Sequence, residues 1–327
     1  MPLQDIVFNV TFRCNLHCKM CGYHEIAKTR HELSTAEVLR GIKGFPELGT
    51  ISFSGGEPTL RGDLLQLMLS ASKKAHTLNL STNGILTNKI IKLIQSLQEH
   101  NLQERMCVTV SLDGAKPETH NGIRGVRGAM ERSIETLEKL EDLGVSRSVS
   151  MTIMSENINE VWNLYNFCRR NDLSFFCRLV SPRPELDKNM VKALYSQLKL
   201  VWEDMGSEVA EFYLRGIIHH AITGKRPIPC YTGRTFLEID AFGDAYPCMD
   251  APWRIHPWKA GSYGNQELVM GNITENPLTE IINLKRAEGT IDLLDSEHCN
   301  KCWMECSFRS TCIHLYENPS FTTYMDG

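Results

Sequence analysis

No stretch of this 327-residue chain approaches the roughly 18 consecutive apolar residues that a membrane span requires, and its opening, MPLQDIVFNV, lacks the basic segment and apolar run of an export signal. The expectation is a cytoplasmic protein with no membrane partner. Basic charge is also in short supply: 35 Lys and Arg face 39 Asp and Glu, for a net charge of -4, and the cations are scattered. A phosphate backbone would find no continuous positive surface, which argues against nucleic acid as a partner. Low-complexity segments and internal repeats are missing too. Cysteine, with twelve copies, is not scarce. In a long chain without an export signal, that number reads as metal or redox chemistry rather than as a disulfide framework.

From residue 6 to about 180, short strand-like runs alternate with helix-like ones. The strands are expected at 6–12, 50–54, 77–82, 106–113, 148–154 and 173–180. The intervening helices include STAEVLRGIKGF, which opens with a capping box from Ser34 to Glu37. Such alternation predicts parallel strands joined by crossover helices. A parallel sheet buried on both sides would be apolar on both faces. Five of these six strands instead alternate, with Asn9, Thr11, Ser52, Ser54, Asn79, Ser81, Thr109, Ser111, Asp113, Ser148, Ser150 and Thr152 on one face. A curved parallel sheet with a polar concave face is a ligand cavity, so the expected fold is α/β, a partial or full barrel with its site at the carboxyl ends of the strands. Two more helical stretches, 185–205 and 207–224, precede a change of texture at TGKRPIPC. A main domain of residues 1–224 and a smaller cysteine-bearing one of 225–327 are therefore expected. The second contains a hairpin signal, FLEIDAFGDAYPC, with Gly243 and Asp244 at its turn.

The stretch TFRCNLHCKMCGYH sets Cys14, Cys18 and Cys21 on one short loop after the first strand. Structural zinc wants four ligands, usually as two pairs, whereas this loop supplies three. Thiolates also hold iron–sulfur clusters, and three of them on a four-iron cluster leave one iron open for another ligand. Zinc with a remote fourth ligand remains the alternative. The C-x3-C-x2-C spacing resembles the signature of the radical S-adenosylmethionine (SAM) enzymes, in the loop after the first strand of a partial (β/α)6 barrel. Further motifs match in order across roughly residues 6–180. In SFSGGEP, the resemblance implies that Gly55, Gly56 and Glu57 engage the SAM amino group. In LSTNG it implies Ser81 and Asn83 near the ribose hydroxyls. In VSLDG…HNGIRG it implies Ser111 and Asp113 facing the cavity, and Arg124 pairing with the SAM carboxylate. Met20 stands where relatives commonly carry an aromatic residue, and Tyr23 is a candidate to cover the adenine instead.

The second half resembles the SPASM and Twitch extensions of this family. Cys230, Gly243 and Cys248 reproduce their upstream pattern, and CNKCWMECSFRSTC supplies Cys299, Cys302, Cys306 and Cys312. A full SPASM domain has seven cysteines and a C-x2-C-x5-C-x3-C run. Here there are six, and the run reads C-x2-C-x3-C-x5-C. The resemblance therefore implies one auxiliary [4Fe-4S] cluster, held by Cys230, Cys248, Cys299 and Cys302, with Cys306 the rival for the last position. Zinc on the same cysteines is the alternative.

The resemblance further implies reductive cleavage of SAM at the first cluster, fed by an electron donor such as flavodoxin or ferredoxin. The product is a deoxyadenosyl radical that abstracts hydrogen from an unactivated carbon. Dehydrogenation, epimerisation and peptide crosslinking all occur in such enzymes. Dehydrogenation needs a proton acceptor, for which Asp250 is the candidate, while epimerisation needs a hydrogen-donating thiol, for which Cys177 is one candidate beside Cys306 and Cys312. Cys107 and Cys168 read as core or helix residues. The chain starts almost directly on its first strand, which suggests no amino-terminal peptide-recognition domain. The expected substrate is thus a small polar metabolite such as a sugar or aminocyclitol, the alternative being a peptide delivered by a separate partner.

Overall fold

The computed structural model describes residues 3–181, 184–228, 230, 232–253, 263–264, 268–287, 303 and 308. Six parallel strands form its first part: β1 (Asp5–Thr11), β2 (Leu48–Gly55), β3 (Ala75–Thr82), β4 (Met106–Ser111), β5 (Ser146–Ile153) and β6 (Ser174–Leu179). The connections carry α1 (Tyr23–Ile26), α2 (Thr35–Lys43), α3 (Leu64–Ala71), α4 (Thr87–Gln98), α5 (Pro117–Arg124), α6 (Ala129–Asp142) and α7 (Val161–Arg170). After β6 come α8 (Lys188–Met205) and α9 (Glu208–Thr223). Each expected strand forms within two residues of its predicted ends, and the Ser34–Glu37 capping box closes on α2. Helix α5 was not anticipated. Pro117 stands in its first turn, where a missing N–H costs nothing, and the buried Glu160 accepts from the N–H groups of Ala115 and Lys116 just ahead of it.

Alternation along the strands sorts the side chains. Ile6, Phe8, Val10, Ile51, Phe53, Leu78, Leu80, Val108, Val110, Val149 and Met151 point one way and form the core with the helices. The intervening residues form an inner face tied across the sheet by hydroxyl and amide hydrogen bonds. Asn79 Nδ2 donates to Ser52 and Ser81, Thr109 donates to Asn79 Oδ1 at 2.9 Å, and Ser148 donates to Thr109 at 2.8 Å. One face thus carries the hydrophobic stabilisation while the other stays hydrogen-bonded.

The sheet does not stop at residue 225. Strand β7 (Phe236–Ile239) pairs in parallel with β1, and β8 (Asp244–Tyr246) and β9 (Gly271–Asn272) continue antiparallel, giving the open order β6-β5-β4-β3-β2-β1-β7-β8-β9. A final described helix, α10, spans Leu278–Ala287. The hairpin turns where expected, with Gly243 at φ +88°, while Asp244 already belongs to β8. Asp240 closes the turn: Oδ1 accepts from the N–H groups of Phe242 and Asp244, both at 2.9 Å, and Oδ2 accepts from the Tyr263 hydroxyl at 3.2 Å.

Burial, reinforced by Asp244 alongside, pushes the Asp240 carboxyl from 3.8 up to about 7. Between these values the folded chain holds a proton that the unfolded chain has released, so this group makes stability fall as pH rises through that window. Asp240→Asn keeps the Oδ1 acceptor and removes the titration. Urea midpoints measured across the window are expected to fall less steeply with pH for the variant than for the wild type; parallel profiles would contradict this.

Candidate active site

Strand β1 ends in a bulge. Asn9 faces Ser54 but Thr11 faces Gly55, so an extra residue sits where the chain leaves the sheet for loop 12–22. Bulges of this kind re-aim the chain beside a site. Cys14, Cys18 and Cys21 lie on the loop, each partly buried. The backbone of β2 anchors its base: Gly56 N–H donates to Thr11 O at 2.7 Å and Glu57 N–H to Arg13 O at 2.8 Å. A Cβ on Gly55 would lie 2.1 Å from Thr11 O, and one on Gly56 2.3 Å from Arg13 O, so this approach requires glycine at both positions. Glu32 accepts from the Thr11 hydroxyl at 2.8 Å and from Phe12 N–H at 2.6 Å, and Arg61 donates to Val10 O at 2.9 Å. From α5, Ile123 O accepts Lys19 N–H at 2.9 Å.

Glu57 is fully buried, and its carboxylate accepts from Thr59 N–H (3.1 Å), the Thr59 and Thr82 hydroxyls (2.5 and 2.9 Å) and Asn83 N–H (2.8 Å). Burial raises its pKa against these donors. The side chain thus joins the end of β2 to the end of β3. Asn83 carries the link onward, donating to Asn15 Oδ1 at 2.8 Å with Cys14 Sγ 4.0 Å away. Across the sheet, the buried Asp113 pairs with Arg124 Nε at 2.6 Å and accepts Thr152 N–H at 2.8 Å, while Arg124 Nη1 reaches Cys18 Sγ at 3.8 Å. His120 Nδ1 accepts Asp113 N–H at 3.0 Å; burial, then the Arg124 charge, pulls its pKa down to about 4, so the ring stays a neutral acceptor.

The donor set suits an iron–sulfur cluster. Burial pushes the Cys14 thiol up to about 12 and raises Cys18 and Cys21, so thiolates here need a positive partner, which a bound metal provides. Among the described residues no three His, Cys, Asp or Glu side chains converge as on a single ion, and thiolates on separate corners of a cluster need not do so.

Ser81 and Ser111 lie on the inner face. Tyr23 packs its ring on Phe12, centroids 4.9 Å apart, and its hydroxyl accepts from Asn9 Nδ2 at 3.2 Å. Asn9 also donates to Glu238, a fully buried inner-face residue of β7 whose other oxygen, Oε2, has no hydrogen-bond partner among the described residues. Burial, then Asp240 and Asp250, raises the Glu238 pKa. Asp250 itself accepts from Ser181, just after β6, at 2.7 Å. Cys177 is not brought to the inner face. It pairs with core residue Met151 and is buried on the helix side, while its neighbours Phe176, 41% exposed, and Arg178 take the inner positions. A hydrogen-donating role for the Cys177 thiol therefore meets the sheet itself as a barrier. Cys168 lies in the core as expected, whereas Cys107 faces inward, 3.9 Å from the Ser148 hydroxyl. Cys230 and Cys248 are buried on either side of the β7–β8 hairpin. Cys299, Cys302, Cys306 and Cys312 lie outside the described residues.

Glu32, Arg61, His120, Glu160 and Glu238 escaped the sequence reading. Only Glu238 carried a local signal, because LEID alternates like five of the six preceding strands.

Two family models match the chain: one described as the radical SAM superfamily, over residues 8–168, and one described as an iron–sulfur cluster-binding domain, SPASM, over residues 230–306. An AdoMet-dependent heme synthase of Nitratidesulfovibrio vulgaris is 31% identical over 50% of this chain, a match spanning only 44% of that protein. The antilisterial bacteriocin subtilosin biosynthesis protein AlbA of Bacillus subtilis is 24% identical over 97% of this chain and 67% of its own length. Among solved structures, native anSMEcpe with bound AdoMet and Cp18Cys peptide shares the fold at TM-score 0.64 and 18% identity, covering 100% of this chain and 98% of that one.

The carboxylate that holds β2 to β3 generates a stability prediction. Glu57→Ala strands two buried N–H donors and two hydroxyls, and is expected to cost about 3 kcal/mol or more in urea unfolding, with Glu57→Gln costing less. A change of less than about 1 kcal/mol for the alanine variant would show that the carboxylate does not hold the strands together.

Proposed function

Given that the chain belongs to the radical SAM superfamily and carries a SPASM iron–sulfur domain, we propose that it oxidises an unactivated C–H bond of a substrate held against the polar inner face of its sheet. The observation that carries this reading is the convergence of that face with the three-cysteine loop at the carboxyl ends of the strands. Cys14, Cys18 and Cys21 would hold the catalytic [4Fe-4S] cluster. Bound together, cluster and SAM supply a one-electron reductive cleavage that ends in removal of a hydrogen atom from a substrate carbon. The electrons come from a donor protein of the flavodoxin or ferredoxin type.

The chain's own residues bind and orient. Gly55 and Gly56 let the SAM amino group approach bare backbone, with Ser81, Asn83 and Ser111 along its path. Arg124 offers its remaining nitrogen to the SAM carboxylate. Glu57 has its carboxylate occupied by four donors, which favours a supporting role over direct contact with the amino group. A two-electron oxidation also releases a second electron and a proton, and the auxiliary cluster of the SPASM domain would be the acceptor for that electron. For the proton, Asp250, steadied by Ser181, is the candidate acceptor, and its charge is felt by the buried Glu238. The SPASM match begins at Cys230 and ends at Cys306, which supports an auxiliary cluster held by Cys230, Cys248, Cys299 and either Cys302 or Cys306. Residues 1–224 would form the radical SAM unit and residues 225–327 the auxiliary-cluster unit, with β7 to β9 of the second extending the sheet of the first.

A polar substrate suits the hydroxyl- and amide-lined face. The relatives lend no support to a sugar or aminocyclitol in particular. A second reading, modification of a peptide brought by a partner, draws on the similarity to a bacteriocin biosynthesis protein.

Iron and labile sulfide per chain after anaerobic reconstitution test the ligand assignment. Wild type is expected to bind about eight irons, and a Cys14→Ala, Cys18→Ala, Cys21→Ala variant about four, as two four-iron clusters require. Equal iron in both would remove the loop from cluster binding.

A further inference from the structure

Arg124 ends helix α5 beside the cysteine loop, and its nitrogens have different occupations. Nε lies 2.6 Å from Asp113 Oδ2, and Nη1 is directed at Cys18 Sγ at 3.8 Å. Asp113 is held on both sides: Oδ1 accepts Thr152 N–H at 2.8 Å, and its own N–H donates to His120 Nδ1 at 3.0 Å. The charge of a carboxylate fixed in this way holds the guanidinium beside the loop, with Nη1 directed at the sulfur. Lysine, a single flexible point charge, would keep the charge without the guanidinium's fixed fork of donors. Donors and positive charge at a cluster-ligating sulfur stabilise the more negative, reduced cluster and raise its potential.

We propose that Asp113 and Arg124 set the reduction potential of the cluster held by Cys14, Cys18 and Cys21, Arg124 raising it through Cys18 and Asp113 moderating that charge. Asp113 is a positioning residue that acts through Arg124, and Arg124 acts on the potential through the sulfur, separately from the remaining nitrogen it would offer to the SAM carboxylate. The inference rests on the cluster assignment proposed above. It also separates the two residues in sign, which a purely structural role would not do. Removing the guanidinium leaves the sulfur without its cationic donor, whereas neutralising Asp113 leaves the cation uncompensated.

The test is a redox titration of the anaerobically reconstituted full-length protein, followed by the EPR signal of the reduced cluster that SAM perturbs. Arg124→Gln is expected to move the midpoint to a more negative value and Asp113→Asn to a more positive one. Each shift should amount to at least a tenfold change in the reduction equilibrium, about 59 mV for one electron. If Arg124→Gln does not retain iron, Arg124→Lys is titrated in its place and is expected below the wild type. Midpoints that do not move, or that move in the same direction for both positions, overturn the inference. A wild-type chain with no SAM-responsive cluster would instead overturn the assignment on which it rests.

Discussion

Two backbone hydrogen bonds, from Gly56 to Thr11 and from Glu57 to Arg13, join the end of β2 to the root of the cysteine loop, and the rest of the site is arranged around them. They require glycine at both Gly55 and Gly56, because a Cβ there would collide with the carbonyl oxygen of Thr11 or of Arg13. Glu57 follows directly and spends its buried carboxylate on the end of β3, and Asn83 at that end reaches back to the loop through Asn15. The cysteines are therefore carried by three strands at once rather than by a free loop. A site that must hold reacting groups within fractions of an ångström is better built on such rigid elements than on a single flexible connection.

The same economy governs the sheet. Its helix side supplies the apolar burial that holds the domain together, and its inner side carries hydroxyls and amides bonded to one another from β2 to β5. These groups are satisfied without a ligand, so the cavity wall keeps its shape while remaining able to exchange hydrogen bonds with a polar guest. The inner face changes character toward its two ends. At β6 it presents Phe176 and Arg178, and at β7 it presents Glu238.

Period-two alternation made the strands and the polar face readable in the sequence, since the pattern extends over several residues and depends only on which side is buried. The cysteine spacing made the loop readable for a similar local reason. What escaped reading depends on distant contacts. The parallel pairing of β7 with β1 joins residues some 230 positions apart, and neither partner records it. Arg124 was readable as a site residue, but not its attachment to Asp113 and Cys18, because α5 depends on Pro117 and on Glu160 arriving from beyond β5. Cys177 shows the converse: FFCRL does not alternate in polarity, so its residue parity could be fixed only by pairing with β5.

The central claim is that this three-strand support presents Cys14, Cys18 and Cys21 for SAM cleavage. Its most direct test is anaerobic incubation with SAM and dithionite, measuring 5′-deoxyadenosine by chromatography. Release is expected from the wild type and none from a variant in which all three cysteines are alanine. Undiminished 5′-deoxyadenosine from that variant would contradict it.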